Sequence, residues 1–296
     1  MYDIVDLETL IEVVARGGVS AAAAALDVAP STVSHRIAKI EKRLGARLFH
    51  RDSRHFAPTE EGRRFWLRAR DVLEALREAE REAMGGDGGA RGLLKVTLPP
   101  WVMRAFVAPH LAAFQARHPD LGLEFLTTDR FVNLVEEQQD VGVRVGRLSD
   151  SALVAQKIAD NHRVICGSPG YLERAGAPTD GAALAEHLFV MLPWQRSVAI
   201  HAGSGARREL RPARRIVLTD AETLTNAALH GVGLVIKSRL AIAAELSAGR
   251  LVEVLPGVLA DADAPIHLIR AGGAPTPRKA SVFSTFLRAC FDASGR

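Results

Sequence analysis

The stretch SAAAAALDVAPSTVSHRI, Ser20 to Ile37, joins five consecutive alanines to a proline and a run of small polar residues. Alanine has the highest helix propensity and adds almost no bulk, so a helix of alanines can lie very close to another helix. Proline fits the first turn of a helix, where its missing N–H removes no hydrogen bond. The stretch therefore predicts two closely packed helices, the second beginning at Pro30 and presenting polar groups outward.

Helical periodicity on both sides extends this pattern. A first helix is predicted from the apolar face Leu7, Leu10, Ile11, Val14 and Ala15, ending at Gly17-Gly18, and Ser20 is predicted to cap the second helix, which ends at Leu26. The inward residues of the third helix are predicted to be Val33, Ile37, Ile40 and Leu44. Its outward residues are Ser31, Thr32, Ser34, His35, Arg36 and Lys39. Two helices joined by a short turn, with these groups outward, predict a helix-turn-helix with a recognition helix.

Positive charge is concentrated in the same region. The whole chain carries a formal charge of +4, but residues 29–70 hold eleven Lys or Arg against four Asp or Glu, and the segments on either side are acidic. A local excess of this kind is typical of a surface that binds a polyanion. The alternative is a solvated helix surface, which applies to Lys39, Glu41, Lys42 and Arg43.

A long helix is predicted over residues 59–84, with Thr59 as its N-terminal cap. Its apolar positions follow a heptad pattern that Glu80 interrupts, and they are Trp66, Ala69, Leu73, Leu76 and Ala83. Such a stripe needs a partner, either a second copy of the helix or the neighbouring domain. Self-pairing is the favoured interpretation, because it fixes the distance between two basic regions. The glycine-rich segment GGDGGARG, residues 85–92, is predicted to be a flexible linker.

The segment AAAALDVAPSTVSHRIAKIEKRLGARLFHRDSRHFAPTEEG resembles the DNA-binding domain of LysR-type transcriptional regulators. The resemblance lies in the alanine-rich second helix, the stretch from Val33 to Arg51, and the T-x-x-G that opens the linker helix. It implies that Ser34, His35 and Arg36 face the major groove. Arg51 and Arg54 then lie in a wing that reaches the DNA backbone or minor groove. Arg36 is the candidate for bidentate recognition of guanine, and Lys39 is a candidate for phosphate contact.

Two positions depart from the family pattern. The serine that usually caps the recognition helix is Ala29 here, and the glutamine that usually follows it is Pro30. The fold is expected to tolerate both changes, whereas the base normally read by that glutamine is read differently or not at all.

From Leu93 onward, short Val/Ile/Leu-rich runs alternate with helical patterns, which predicts an α/β domain with a mostly parallel sheet. The segment RFVNLVEEQQ, residues 130–139, is predicted to be a helix. The order of elements resembles the two-lobed type 2 periplasmic-binding-protein fold that the family uses to bind its inducer. The predicted domains are 1–58 (winged helix-turn-helix), 59–92 (linker helix and hinge) and 93–296 (effector-binding domain). Within the last, lobe I comprises 93–161 and 267–296, and lobe II comprises 162–266.

Ligands of open parallel sheets bind beyond the carboxyl ends of the strands, at helix N-termini. The candidate effector-binding residues are Pro100, Trp101, Thr128, Arg144, Ser197 and His201. Thr128 and either Arg144 or Arg147 suit a carboxylate, so a small carboxylated metabolite is expected. The alternatives are a core or interface aromatic for Trp101 and a salt bridge between lobes for Arg144.

The sequence contains no G-x-S-x-G, H-E-x-x-H or phosphate-binding loop, so no enzyme, cofactor or metal site is expected. No apolar run approaches the roughly 18 residues of a membrane span, and no signal peptide is visible. The two cysteines, Cys166 and Cys290, exclude a disulfide scaffold and favour the cytoplasm. A structural role for Cys166 is favoured over a redox role.

The expected function is a ligand-responsive transcriptional regulator. It is expected to bind double-stranded DNA at an interrupted inverted repeat, as a homodimer through Trp66, Ala69, Leu73 and Leu76 or as a homotetramer, and to contact RNA polymerase. The alternatives are a solute-binding protein, which the basic N-terminal region disfavours, and a nonspecific nucleoid-associated protein, for which the two-lobed domain would be unnecessary.

Overall fold

The computed structural model describes residues 1–50, 57–83, 89–148, 153–201, 205–272 and 276–294. The first three helices are α1 (Ile4–Ala15), α2 (Val19–Leu26) and α3 (Pro30–Leu44). Helix α1 begins with a capping box, in which the Asp3 carboxylate accepts from Asp6 N and the Asp6 carboxylate accepts from Asp3 N. Asp27, in the left-handed conformation, makes the tight turn that leads toward α3.

The alanines of α2 allow the close packing predicted from the sequence. Ala22 and Ala23 are buried in one core with Val33, Ile37 and Ile40 of α3. Three details differ from the prediction. Helix α2 begins at Val19 with Gly18 as its cap rather than Ser20, Val13 is buried in α1, and Leu44 is 38% exposed because α3 ends there, before the left-handed Gly45.

Two short antiparallel segments follow α3. His50 N donates to Ala57 O at 3.0 Å, and Thr59 N donates to Leu48 O at 2.9 Å. These bonds form the base of the predicted wing. Arg51 and Arg54, predicted to contact DNA, lie outside the described residues.

Helix α4 (Glu60–Ala83) begins as the T-x-x-G motif predicts. The Thr59 hydroxyl accepts a hydrogen bond from Gly62 N at 2.9 Å, which caps the helix. A Cβ on Gly62 would lie 1.9 Å from the carbonyl oxygen of Leu48, so only glycine fits at this contact.

The apolar stripe of α4 packs on the chain's own first domain. Trp66, Leu67 and Ala69 belong to the same buried core as α1 and α3, and the rings of Phe65 and Tyr2 meet edge to face. The sequence favoured a second copy as the partner of Trp66 and Ala69, but α1 already covers these two positions. Leu73 is also buried, whereas Leu76 is partly exposed.

Lobe I is built on a five-stranded sheet with the order β2-β1-β3-β12-β4. Its strands are β1 (Gly92–Leu98), β2 (Leu121–Thr127), β3 (Val141–Val145), β4 (Leu153–Ala159) and β12 (Ile266–Ala271). Strands β1, β2 and β3 are parallel, and β12 runs antiparallel to β3 and β4. Its helices are α5 (Pro100–Val102), a π-helical turn (Met103–Val107), α6 (Ala108–Arg117) and α10 (Arg278–Ser294). Aromatic residues of these helices, such as Phe106, Phe283 and Phe291, fill the core.

Lobe II contains three small sheets. Its strands are β5 (Arg163–Gly167), β6 (Leu188–Met191), β7 (Val198–His201), β8 (Arg207–Leu210), β9 (Arg214–Val217), β10 (Val235–Ser238) and β11 (Val252–Glu253). They pair as β10-β5-β11, β6-β9 and β7-β8. Its helices are α7 (Pro169–Ala175), α8 (Ala221–Leu229) and α9 (Ala243–Ser247), and Ser168 caps α7 as predicted.

The helix predicted over residues 130–139 is absent from this described segment, which forms turns instead. The Asn133 side chain accepts from Val135 N, and Gln138 has a positive φ of 51°. These local features stop a helix from continuing. The loop remains at the edge of lobe I, beside the space between the lobes.

The chain passes between the lobes twice, between β4 and β5 and again before β12. Asn161 Nδ2 donates to Ala264 O at 2.9 Å, so the two crossings lie side by side. In the part of the chain that the structure describes, no helix is long and apolar enough to cross a membrane. The architecture is therefore the predicted one, a helical DNA-binding fold, a linker helix and a two-lobed α/β domain.

Candidate functional site

The outer face of α3 presents the residues predicted for DNA contact. Ser31, Ser34 and His35 are exposed, whereas Thr32, Arg36 and Lys39 are partly exposed. A shallow concavity on this face is lined by His35, Ala38, Lys39, Lys42, Arg43 and Met1. Hydroxyl, imidazole and cationic groups thus share one side of a helix whose other side is buried.

Helix α1 fixes two of the cations on this face. Lys39 Nζ lies 2.6 Å from the buried carboxylate of Asp6 and 3.3 Å from that of Asp3. The hydrogen bond to Asp6 raises the pKa of Lys39. Arg36 Nη1 donates to Thr9 Oγ1 at 3.0 Å. Both cations are therefore positioned by α1, and a guanidinium, which carries five donors, keeps others for DNA.

The first turn of α3 lacks a side-chain cap. Ala29 occupies the cap position with no side-chain hydrogen bond, and Pro30 is the first helical residue. The backbone N–H group of Ser31 stands at this positive end of the helix dipole, where an anion such as phosphate is favoured. Thr32 N is bonded to Ala29 O at 2.9 Å.

A cleft with a volume of about 410 Å³ separates the lobes. Of the predicted effector-binding residues, Trp101, Thr128 and Arg144 line it. Pro100, Ser197 and His201 do not line it. Ser197 instead donates to Glu209, and His201 Nδ1 lies 3.3 Å from Gly205 O, both at the β7–β8 hairpin. The hairpin partner β8 was not predicted from the sequence, and it directs these two side chains away from the cleft.

Two polar contacts between described residues join the lobes across the cleft, and Leu240 and Ala241 of lobe II pack against the core of lobe I. Asp129, in the loop after β2, accepts a hydrogen bond from Ala221 N at 2.8 Å through Oδ2. Ala221 is the first residue of α8, so a carboxylate of lobe I occupies a helix N-terminus of lobe II. Arg104 is ion-paired to Glu222 at 3.0 Å. The Thr128 hydroxyl accepts from Arg130 N at 3.2 Å, which shapes the same loop.

Arg144 is buried at the end of β3. Its two terminal nitrogens donate to the carbonyl oxygens of Val143 and Val132 at 3.0 and 3.1 Å, and its guanidinium lies 5.4 Å from the ring centroid of Phe131. These contacts replace the salt bridge between lobes considered as an alternative. Burial lowers the pKa of Arg144, and its buried Nε has no hydrogen-bond partner among the described residues.

Trp101 lies both in the core of lobe I and at the surface of the cleft. The indole packs edge to face on Phe106 within the lobe I core, and it also lines the cleft. The opposite wall contains Trp194, which is 53% exposed and was not selected from the sequence.

Arg130 of lobe I and two cations of lobe II also line the cleft and were missed. Arg163 stands at the start of β5, and Lys237 lies on β10 and is only 6% exposed. Lys237 Nζ donates to Ala221 O at 2.6 Å, and burial lowers its pKa to about 8. The available signal was a lysine inside the apolar run GLVIKS, where a strand buried on both faces would not hold a charge without a reason.

Both cysteines are buried. Burial raises the pKa of Cys166 to about 12, which leaves the thiol protonated and poorly reactive. A structural role agrees with this environment. The described residues contain no cluster of three or more side chains suited to a metal ion.

Comparisons with known proteins identify the family of both domains. The family described as "Bacterial regulatory helix-turn-helix protein, lysR family" matches residues 4–63, and the "LysR substrate binding domain" matches residues 87–292. An HTH-type transcriptional regulator of Xanthomonas campestris pv. campestris is 31% identical over 99% of this chain and 87% of its own. DmlR of Escherichia coli, also an HTH-type transcriptional regulator, is 30% identical over 97% of this chain and 94% of its own.

Solved structures give the same result. CrgA of Neisseria meningitidis, a LysR-type transcriptional regulator, superposes with a TM-score of 0.60 at 26% identity and covers both chains completely. Full-length LysG of Corynebacterium glutamicum, solved with bound effector Arg, has a TM-score of 0.70 over 98% of both chains; at 16% identity this likeness shows the fold alone.

The relatives are named as transcriptional regulators, which confirms the prediction of a regulator rather than an enzyme. Both domains of the family are present in the predicted order. The chain belongs to the LysR family and is a DNA-binding transcriptional regulator with an effector-binding domain.

Proposed function

We propose that this regulator recognises an interrupted inverted repeat in double-stranded DNA through α3 and the wing. The observation that carries the proposal is the outer face of α3, where Ser34 and His35 are exposed between cations held by α1. The proposed contacts are Ser31, Thr32, Ser34, His35, Arg36, Lys39, Arg51 and Arg54. Half-sites lie about one helical turn, or a multiple of it, apart.

The proposed working unit is a homodimer joined by the linker helix, with a homotetramer formed through the effector domains. Since α1 covers Trp66 and Ala69, the pairing surface moves to the exposed side and C-terminal half of α4, where Val72 is 54% exposed. The proposed domains are 1–58, 59–92 and 93–296. The proposed location is the cytoplasm, where DNA and RNA polymerase, the further proposed partner, are found.

The proposed effector is a small carboxylated metabolite bound between the lobes. Trp101, Thr128 and Arg144 line the cleft and combine an apolar wall with a hydroxyl group and a guanidinium. The effector changes the contacts across the cleft, including the bond between Asp129 and Ala221. A ligand that prefers one arrangement of the lobes shifts the population toward it, and the spacing of the paired DNA-binding domains follows.

A gel-shift assay on the DNA upstream of the chain's own gene tests the DNA-binding proposal. The full chain is expected to bind this DNA in the presence of random competitor. Arg36→Ala is expected to weaken specific binding by about 1–3 kcal/mol and to change random binding little. Arg211→Ala, which removes an exposed cation of lobe II, is the matched control.

Equal affinity for all duplexes would contradict the proposal and favour a nonspecific nucleoid protein. Equal loss on specific and random DNA in Arg36→Ala would place Arg36 on phosphate instead. Failure to bind any duplex at low salt would favour a solute-binding protein.

A further inference from the structure

The cleft between the lobes carries more positive than negative charge. Among the described residues that line it, four side chains are cationic, those of Arg130, Arg144, Arg163 and Lys237, and one is a carboxylate, that of Asp129. Cations in a concave site bounded by protein attract anions strongly, because the low-dielectric walls focus their field. A ligand with one carboxylate would neutralise only part of this charge.

The two cations of lobe II enter the cleft from different sides. Lys237 pairs with Val164 across β10 and β5, and the next pair is Ser238 with Arg163. Successive side chains of a strand point to opposite faces of the sheet. Lys237 and Arg163 therefore leave the sheet on opposite faces, and both reach the cleft at its edge. A ligand that pairs with both cations through charge is matched by one anionic group at each.

Lys237 has hydrogen-bonding capacity left over. An ammonium group carries three donors, and among the described residues Nζ makes one hydrogen bond, to Ala221 O, and no ion pair. The charge of Asp129 acts on Lys237 from a distance, but among the described residues no hydrogen bond or ion pair joins the two side chains. The buried charge thus lacks the ion-paired partner that buried charges normally have.

Arg144 of lobe I and Arg163, at the start of β5, offer a second place for an anion. The buried Nε of Arg144 has no hydrogen-bond partner among the described residues. The guanidinium of Arg163 lies beside Gly146, close enough that a Cβ there would be 3.1 Å from Nη2. Trp101 and Trp194 line the same cleft and provide apolar surface for a carbon skeleton.

We propose that the effector is a small dicarboxylate, with one carboxylate at Arg144 and Arg163 and the other at Lys237, so that Lys237 selects dianions over monoanions. The inference rests on the proposed binding of a carboxylated effector in this cleft. It adds that the effector carries two negative charges and that Lys237 recognises the second.

The ionisation of Lys237 supplies a signature of this role. Its pKa of about 8 results from burial, opposed by the charges of Asp129, Asp220 and Glu222, while Cys166, on the neighbouring strand, has a pKa of about 12. Carboxyl groups ionise far below this range. A bound carboxylate raises the pKa of Lys237, so the affinity it contributes is present below about pH 8 and is lost as the pH rises above it.

Calorimetric titration of the full chain tests the inference with defined probes. These are malonate, succinate, glutarate and adipate, each against the monocarboxylate of the same carbon number, and phthalate against benzoate. At least one dicarboxylate is expected to bind roughly tenfold tighter than its partner, since a hydrogen bond between charged groups contributes this much. Its affinity is expected to fall between about pH 7 and pH 9.

Lys237→Met tests the residue itself. It is expected to weaken dicarboxylate binding roughly tenfold, to leave monocarboxylate binding unchanged and to abolish the pH dependence. Arg147→Gln, which removes an exposed cation outside the cleft, is expected to leave dicarboxylate binding, monocarboxylate binding and the pH dependence unchanged. Thermal unfolding without ligand checks that the Lys237→Met protein folds. The pH dependence of dicarboxylate binding to the wild-type chain tests the inference without any variant.

Three results would overturn the inference: monocarboxylates that bind as tightly as their dicarboxylates, no dicarboxylate that binds at millimolar concentration, or inorganic phosphate that binds more tightly than all of them. Each of these three results can be obtained with a chain that still binds its operator DNA in the absence of ligand. Loss of operator binding, in contrast, would count against the proposed regulator and not against the ligand class.

Discussion

Nη2 of Arg70, on the linker helix, lies 2.6 Å from Oδ1 of Asp140, in lobe I of the effector domain. Asp140 also accepts a hydrogen bond from Lys95 N at 2.9 Å, and Lys279 Nζ lies 3.5 Å from its carboxylate. Lys279 is itself buried and ion-paired to Glu74 of α4 at 2.9 Å. The linker helix and the effector domain are thus joined by a cluster of largely buried charges.

Asp140 immediately precedes β3, and Arg144 lies toward the other end of the same strand, in the cleft. One short strand therefore connects the ion pair of the linker helix to the proposed effector site. A rigid element with two such ends can transmit a displacement, but coupling must be demonstrated by measurement.

Asp140→Asn removes the carboxylate and leaves Arg70 and Lys279 without their shared partner. Arg70 and Lys279 keep one other carboxylate each, Asp71 at 3.4 Å and Glu74 at 2.9 Å, but they lose the most buried one, and removing one member of a buried ion pair is costly. The variant is expected to lower the free energy of unfolding by about 3 kcal/mol, measured by urea denaturation. Asp120→Asn, whose partner Arg91 is half exposed like Asp120 itself, is the control and is expected to change little. Equal effects of the two substitutions would contradict a stabilising role for the cluster.

Asp71, beside Arg70, gives a pH prediction. Burial raises its pKa, and the nearby charge of Arg70 only partly opposes this. Because the folded pKa lies above the unfolded one, the ionised carboxylate destabilises the fold, and stability increases as the pH falls through the folded pKa. Asp71→Asn is therefore expected to raise the unfolding temperature at neutral pH and to flatten its dependence on pH below neutrality. An unfolding temperature that falls at neutral pH would show that the ion pair with Arg70 outweighs burial.

Gly62→Ala tests the junction between the wing and α4. The added Cβ would overlap the backbone carbonyl of Leu48, which cannot rotate away. The expected cost is about 3 kcal/mol or more in the unfolding of the DNA-binding domain, followed by circular dichroism. Gly170→Ala, where a Cβ meets nothing within 4 Å, is the matched control. A stable Gly62→Ala variant would mean that α4 can shift away from Leu48.

The sequence was sufficient for the helix-turn-helix because its signals are local. The alanines, Pro30 and the buried spacing of Val33, Ile37 and Ile40 each act within one or two turns of helix. Local spacing was misleading at residues 130–139, where apolar residues suggested a helix but Asn133 and the left-handed Gln138 form turns.

Partners distant in sequence could not be predicted. The heptad spacing of Trp66 and Ala69 correctly indicated a covered face, but spacing does not distinguish a second copy from the chain's own α1. Lys237 was missed for a similar reason, since only the fold shows that β10 ends at the cleft. Ser197 and His201 were misplaced because β8, which directs them elsewhere, carries charged rather than apolar residues.

The exposed side of α4 gives the last prediction. Val72, Ala75 and Ala79 are exposed, Leu76 is partly exposed, and their spacing places them on one stripe of the helix. Helix α1 and lobe I leave the apolar residues of this stripe uncovered, so a second copy of the helix can pack on them. Leu73, which the heptad pattern placed in one seam with Leu76, is buried within its own chain and does not belong to this stripe.

Val72→Glu combined with Leu76→Glu is therefore expected to give monomers in sedimentation velocity, because like charges would face each other across the pair of helices. Leu73→Ala is the contrasting variant: it is expected to lower the free energy of unfolding by about 3 kcal/mol through the cavity it leaves, without dissociating the dimer. Arg64→Gln, an exposed change on the same helix, should do neither. Dimers that persist in the double variant would move the interface away from this stripe. Dissociation by Leu73→Ala alone would place the dimer interface on the heptad seam predicted from the sequence.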